Sequence, residues 1–363
     1  MSPAAFILGP PPSRRHQSWD RRRPGGINNI NYRKAMIYPT VNDTTFTRAL
    51  NSARLCLDEK KFDVVMLGAR QFGQERGEVM SALPEQDAAT LRETPLMIFS
   101  ITKAIVGTAI ARMVDQRLLR WDDPLHHFIP ELKAAGGDFL ALRVEDVFLH
   151  RTGLKDCPWH KSSPAELVAA GFQWAPRTAA SYRTSPYQLI RQVLLSVGAR
   201  ASAQEVLQDW IFTPCGMPNT SFCPADLAKT IPCNFTTIPL DEFCAAEICG
   251  AGLWSTCNDL MNFADAVITP GRLMSQPTFE AMREADILRT PDNNKAFLIR
   301  SRGWNKELIF NHQPQRAFLH GGAAGSVLWC DPEANLIVAF IANRCGVGND
   351  DAFRTIGEFY ADC

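Results

Sequence analysis

Phe99-Ser-Ile-Thr-Lys-Ala-Ile-Val-Gly-Thr-Ala-Ile-Ala-Arg-Met-Val-Asp-Gln-Arg-Leu-Leu119 is the stretch on which the reading of this chain turns. Its first three turns carry apolar side chains on nearly every face, the pattern of a helix buried inside a protein rather than laid on its surface. The spacing predicts a helix over the whole stretch, stopped by Trp121-Asp-Asp-Pro124. Ser100 and Lys103 stand three residues apart, hence on one helical face about a turn from each other. A serine hydroxyl is a weak nucleophile until a neighbouring base takes its proton, and a lysine desolvated by apolar neighbours is lowered toward the range where it does so. Phe99, Ile101, Ile105 and Val106 supply those neighbours. Near the helix start, Ser100 also feels the positive end of the helix dipole, which favours negative charge on its oxygen. Read alone, the pair is more readily an N-cap serine followed by a snorkelling lysine; the apolar sequence all round Lys103 turns the reading, since a lysine inside a buried helix must pair or serve.

Outward from this helix the chain changes character twice. On its N-terminal side, Thr45 to Leu57 has helical spacing, and Phe62-Asp-Val-Val-Met-Leu-Gly68 reads as a buried strand. Gln71 to Pro95 is polar and reads as loops or a weak second strand. On the C-terminal side, Pro124 to Leu240 reads as mostly helical, and Thr256 to Ile268 as a further helix capped by Ser255 or Thr256. Three short runs then read as antiparallel strands: Ala317-Phe-Leu-His, Gly325-Ser-Val-Leu-Trp-Cys-Asp and Asn335-Leu-Ile-Val-Ala-Phe-Ile-Ala. Asp350 to Tyr360 closes the chain as a helix. Strands at both ends with helices between predict an α+β fold in which one antiparallel sheet is built from both chain ends and a mostly helical domain is inserted. The expected division is an N-terminal extension over 1–40, a sheet domain over 41–123 and 245–363, and a helical domain over 124–244, with the active site at their interface.

Composition narrows the function. Lysine plus arginine, 38, equals aspartate plus glutamate, 38, so no whole-molecule field draws the chain to nucleic acid or an anionic membrane, and a small-molecule substrate is the expected partner. No apolar run approaches the roughly 18 residues that would span a bilayer. The N-terminus, MSPAAFILGPPPSRRH, lacks a basic region ahead of its apolar patch, which argues against a secretory signal. The 11 cysteines are an odd number without a C-x-x-C pair, so neither a disulfide framework nor a zinc site is written, and reduced thiols in a cytoplasm are expected. His150, Asp156 and His160 lack metal-ligand spacing; no metal and no cofactor are expected. A G-x-S-x-G elbow and a phosphate-cradling glycine loop are both missing from the sequence.

From about Phe62 onward the chain resembles the β-lactamase-related serine hydrolases, a family that includes class C β-lactamases, penicillin-binding proteins, D-amino-acid peptidases, esterases and fungal polyketide acyltransferases. The resemblance rests on Thr94-Pro-Leu-Met-Ile-Phe-Ser-Ile-Thr-Lys, Leu119-Arg-Trp-Asp-Asp-Pro-Leu-His-His-Phe-Ile-Pro-Glu-Leu, Leu149-His-Arg-Thr-Gly-Leu, Pro214-Cys-Gly-Met-Pro-Asn-Thr-Ser-Phe and Gly250-Ala-Gly-Leu-Trp-Ser-Thr-Cys-Asn-Asp-Leu, in the family's order. It implies a β-lactamase/transpeptidase-like fold, with Ser100 as nucleophile, Lys103 as its base, and Tyr182 as the phenol that passes a proton between Ser100 and the leaving group. Thr184 stands where the family has the asparagine that orients lysine and the substrate's acyl amide, which weighs against amide and β-lactam substrates more than against acyl transfer itself. His320-Gly321-Gly322 resembles the family's third motif, on a strand lining the site. Its position implies that the Ala323 N–H, with that of Ser100, forms an oxyanion hole, and that His320 polarises the tyrosine or binds substrate.

The expected function is serine-dependent acyl transfer on an ester, thioester or amide of a small molecule, with a specialised metabolite as the expected substrate class. Hydrolysis and transfer to an alcohol or amine stay open, as do non-acyl acid–base chemistry in the same pocket and a binding scaffold that has lost turnover. The cleft walls are expected from 158–176 and 286–307.

Overall fold

The computed structural model describes residues 39–83, 88–235, 237–290, 297–306 and 317–362. The N-terminal extension therefore lies, but for its last two residues, outside the described residues.

Leu336-Ile-Val-Ala-Phe-Ile-Ala342 is buried at every position and sits in the middle of a five-stranded sheet. The strands, in chain order, are β1 Val64–Gln71, β2 Gln74–Ser81, β3 Leu96–Met97, β4 Trp254–Ser255, β5 Asp286–Arg289, β6 Phe297–Arg300, β7 Phe318–Gly321, β8 Val327–Asp331 and β9 Leu336–Ala342. The main sheet has the order β2-β1-β9-β8-β7 and every pairing is antiparallel. β1 pairs with β9 from Val65↔Ala342 to Gln71↔Leu336, joining the two ends of the chain as expected.

Alternation explains why both faces are covered. Val65, Leu67, Val338, Phe340 and Trp329 pack into one apolar cluster with Ala49, Ala53 and Ile356 of the terminal helices Asp43–Asp58 and Asp350–Gly357. Val64, Met66, Ile337, Ala339 and Ile341 belong to a second cluster with Leu260, Met261 and Ala264 of the helix Cys257–Ile268. Successive strand residues point to opposite faces, so a continuously apolar strand is one buried from both sides. Thr256 caps the last of these helices by accepting from Asp259 N.

Three local readings change. β2 is a full strand, polar because it is the sheet's edge and half of its residues are exposed. The segment from Asp286 contains the hairpin β5–β6, linked to β7 through the bridges Arg300↔Asn305 and Asn305↔Leu319. Runs of four residues are too short to show a period, and cross-strand pairing supplies what periodicity did not. The buried helix, Thr102–Asp115, is preceded by a 3-10 turn, Phe99–Ile101, and ends before Leu119 because Arg117 turns left-handed at φ 60° and Leu118 N closes back on Met113 O at 3.0 Å.

Between 124 and 246 the described regular structure is helical apart from isolated bridges, the longest element being Tyr187–Gly198. Helices of this part share the larger apolar cluster with the sheet and its helices: Tyr187 and Val193 belong to it together with Ile337, Ile105 and Leu260. One core thus runs from sheet to helices, with Thr102–Asp115 through its centre. No helix among the described residues is long and apolar enough to cross a membrane.

Candidate active site

The chain enters the central helix under strong constraint. Leu96 and Met97 pair with Ser255 and Trp254, and Ile98 N donates to Leu253 O at 3.0 Å. Phe99 then adopts φ 45°, a left-handed conformation unfavourable for a bulky residue. Its buried ring holds it there, packed against Phe235 at 5.4 Å in a cluster with Trp254 and Ala324. Over-determined backbone of this kind fixes where the next side chain, Ser100, points.

Lys103 is 0 % exposed. Its Nζ lies 3.2 Å from Ser100 Oγ, 3.2 Å from Thr184 Oγ1 and 2.5 Å from Gly250 O. The Tyr182 and Tyr187 ring centroids are 4.9 and 5.0 Å from the same nitrogen. Burial, aided by the nearby Arg300 guanidinium and opposed by Asp156, lowers its pKa from 10.5 to about 7. The neutral amine has two N–H bonds and one lone pair. Gly250 O only accepts, so it takes one N–H; with the other given to Thr184 Oγ1, the lone pair is left for the Ser100 hydroxyl proton. The structure thus places Thr184 as a buried partner of lysine rather than on the cleft wall, where a substrate contact was expected.

Tyr182 is mounted on His150. Ser181 N donates to His150 O at 2.9 Å and Arg183 N to His150 Nδ1 at 3.2 Å, so both neighbours of the tyrosine bond to one residue. The two rings pack against each other, tilted by 35°, with centroids 4.4 Å apart. His150 is buried and its pKa lies well below 6.5, through burial first and then the Arg300 and Lys103 charges. The neutral imidazole that accepts at Nδ1 carries its proton on Nε2. Among the described residues no group of three His, Cys, Asp or Glu side chains is placed to hold a metal ion.

His320, 2 % exposed on β7, is also kept neutral: burial, then the Lys103 charge, lower its pKa to about 3. Its Nδ1 faces Gly321 O at 2.9 Å. A carbonyl cannot donate, so Nδ1 holds the proton and Nε2 is an acceptor. An uncharged imidazole supplies no positive field for the phenol, so of the two roles expected of His320, polarising the tyrosine or binding substrate, its place in the cleft lining suits the second. That field comes from Arg300, 6 % exposed, whose guanidinium carbon lies 5.4 Å from the Tyr182 ring centroid.

These residues meet in a cleft of about 410 Å³ lined by Ser100, Tyr182, Arg300, His320, Ala323 and Asn349, with Gly321 and Gly322 in its floor. Asn349 holds the turn after β7, donating to Gly322 O at 3.1 Å and Ser326 O at 2.9 Å. Arg300, Asn349 and His150 were not read as site residues from the sequence. The arginine follows Phe297-Leu-Ile and is separated by one serine from Arg302, a setting with no motif or spacing that marks a cleft residue, and the other two reach the site through contacts far along the chain. Of the expected walls, 158–176 contributes nothing to the cleft lining, whereas Arg300 and Asn305 come from 286–307. Pro158, Trp159 and His160 line a separate cleft with Phe235.

Two substitutions test this geometry. A Cβ at Gly322 would lie 2.6 Å from Ile98 O, so Gly322→Ala forces β7 away from the Ser100 turn. It is expected to cost about 1–3 kcal/mol of stability and to lower kcat/KM, read by urea unfolding and by initial rates. Arg300→Met removes a charge that opposes protonation of Lys103. The lysine is then neutral only at higher pH, and the acid limb of the pH–kcat/KM profile should move upward; an unmoved limb would show that Arg300 does not act on Lys103.

Residues 76–360 match the family model described as Beta-lactamase. Protein Rv1367c of Mycobacterium tuberculosis is 24% identical over 327 residues, covering 70% of this chain and 78% of its own. The solved structure of EstCE1, a hydrolase with promiscuous acyltransferase activity, superposes with TM-score 0.75 at 17% identity, covering 88% of this chain and 100% of that one. A penicillin-binding protein homologue from Caulobacter crescentus gives TM-score 0.73 at 20% identity, covering 89% and 99%. At these identities the structures show the β-lactamase/transpeptidase-like fold, and the family model, spanning most of the chain, shows more: the chain belongs to the beta-lactamase family and is an enzyme of the serine hydrolase type.

Proposed function

We propose that the chain catalyses covalent acyl transfer from a small-molecule ester or thioester through a Ser100 acyl-enzyme. The observation that carries this is the fully buried Lys103 amine, 3.2 Å from Ser100 Oγ and lowered to about 7. In this reading Lys103 accepts the hydroxyl proton and Ser100 Oγ attacks the carbonyl carbon. The N–H groups of Ser100 and Ala323, both cleft residues, receive the developing oxyanion. As the tetrahedral intermediate collapses, Tyr182, under the field of Arg300, gives its phenol proton to the leaving oxygen or sulfur and takes in its place the proton that Lys103 accepted from Ser100. Water, or an alcohol or amine, then repeats the sequence in reverse and frees Ser100. The scheme needs no cofactor.

The substrate assignment rests on three supports. A cleft of about 410 Å³ suits a small ligand. Thr184, engaged with Lys103, lacks the carboxamide that would hold an amide acyl group, which favours esters and thioesters. EstCE1, similar in fold, is a hydrolase with acyltransferase activity. The overall charge balance favours neither nucleic acid nor an anionic membrane as partner. The ten described cysteines are free thiols, the state a reducing cytoplasm maintains, and a specialised metabolite is the substrate class that fits such a location.

The test is to incubate the protein with a fluorophosphonate and with p-nitrophenyl esters of graded chain length, then map the adduct by peptide mass spectrometry. Modification of Ser100 supports the proposal. A protein left unlabelled by all of them would overturn the Ser100 acyl-enzyme.

A further inference from the structure

Cys233 and Cys345 are 112 residues apart in sequence, and their sulfurs lie 3.7 Å apart. Each sits in a loop, one from the helical part of the chain and one following β9. The loops are already laced together: Asn343 Nδ2 donates to Pro232 O at 2.9 Å, Cys345 N to Asn234 Oδ1 at 2.6 Å, and Asn234 Nδ2 to Cys345 O at 3.2 Å. A disulfide needs the sulfurs to close to about 2.0 Å, a short movement between backbones so pinned. Both thiols are partly buried, and exposed Pro232, Asn234 and Gly346 beside them leave an approach for a small reagent.

The pair backs onto the catalytic centre. Both cysteines pack against the apolar cluster that contains Phe99 and Ala324, the chain neighbours of Ser100 and Ala323. Phe235, two residues beyond Cys233, touches Phe99 at 5.4 Å, and Asn349, four beyond Cys345, bonds Gly322 O.

We propose that Cys233 and Cys345 form a dithiol modification site that a low-molecular-weight disulfide oxidises to an intramolecular disulfide, clamping together the two loops behind the cleft. The Cys233 thiolate attacks one sulfur of the reagent, giving a mixed disulfide and releasing one thiolate. Cys345 then gives up its proton and attacks the Cys233 sulfur, releasing the second. Two protein thiols are oxidised and one small disulfide is reduced to two thiols. The order follows from the backbone around the pair: beyond the contact between the sulfurs, hydrogen bonds from the Phe235, Cys345 and Asn234 backbone favour a thiolate at Cys233 and lower its pKa, whereas Cys345 has no such backbone support among the described residues and is raised.

The experiment takes the full chain, reduced and freed of reductant, and incubates it with glutathione disulfide. Non-reducing peptide maps should show Cys233 joined to Cys345 with the loss of two titratable thiols, and the thermal midpoint should rise by roughly 5 °C or more and fall again on reduction. Cys345→Ser should stop at a glutathione adduct on Cys233 with no thermal rise; if that variant does not fold, Cys233→Ser should leave Cys345 unmodified. Both thiols still free after incubation, or a bond joining other cysteines, would overturn the assignment. The map needs no turnover, so Ser100→Ala should give the same one whatever chemistry the cleft performs.

Discussion

Ser100→Ala is expected to lower kcat/KM for an activated ester by at least about 10⁴-fold and to abolish the adduct found by peptide mapping, while leaving the fold intact. Nucleophile removal in a serine hydrolase costs on the order of 10⁶ in rate, with a residual rate supplied by the oxyanion donors and by binding. The structure gives little reason for a loss of stability. Ser100 is partly exposed, and it is one of three hydrogen-bond partners of Lys103, the other two being unaffected. Circular dichroism and the thermal midpoint should match the parent. Turnover kept by this variant would mean that Lys103 and Tyr182 perform acid–base chemistry without an acyl-enzyme, and the covalent proposal would be wrong.

Replacing Lys103 by methionine should act on rate and on stability, and the second effect isolates the lysine's protonation state. Loss of a general base lowers the rate by about 10²–10⁴-fold. For stability, the folded-state pKa, about 7, lies below the ordinary lysine value of 10.5. Between those pH values the unfolded chain holds a proton that the folded chain has released, so unfolding takes up a proton and stability rises with pH. The contribution is complete above the unfolded value and is lost as pH falls through the folded one. Measured by urea unfolding, the stability of the parent minus that of Lys103→Met should rise by roughly 1 kcal/mol per pH unit from pH 7 toward 10. Below pH 7 the difference should level off. A difference that stays flat across the whole window would show that the buried amine titrates as an ordinary lysine, and it could not then serve as the base.

Much of this was legible in one dimension because it rests on short-range periodicity. The all-round apolar sequence from Phe99 located a buried helix, and three-residue spacing placed hydroxyl and amine on one face of it. The strands β1, β8 and β9 were readable because each is a continuous apolar run. The hairpin β5–β6 and the edge strand β2 were harder, since short or polar strands owe their form to partners rather than to their own pattern.

The site shows the same divide. Lys103 is held by Thr184, 81 residues away, and by Gly250 O, 147 residues away, and no local signal marks a backbone carbonyl as a lysine partner. Arg300 belongs to no recognisable motif, and only folding buries it over Tyr182. His320 reads as a histidine able to polarise its surroundings, whereas burial beside Lys103 keeps it uncharged.

By itself the sequence determined the buried central helix, the apolar strands that bring both chain ends into one sheet, and which serine and lysine share a helical turn, because these follow from side-chain period and backbone spacing within a few residues. Only the tertiary structure decided how strongly each group holds its proton and which charge faces the phenol. Desolvation and Coulomb fields depend on distances through space, and those are set when residues remote in the chain are packed around one cleft.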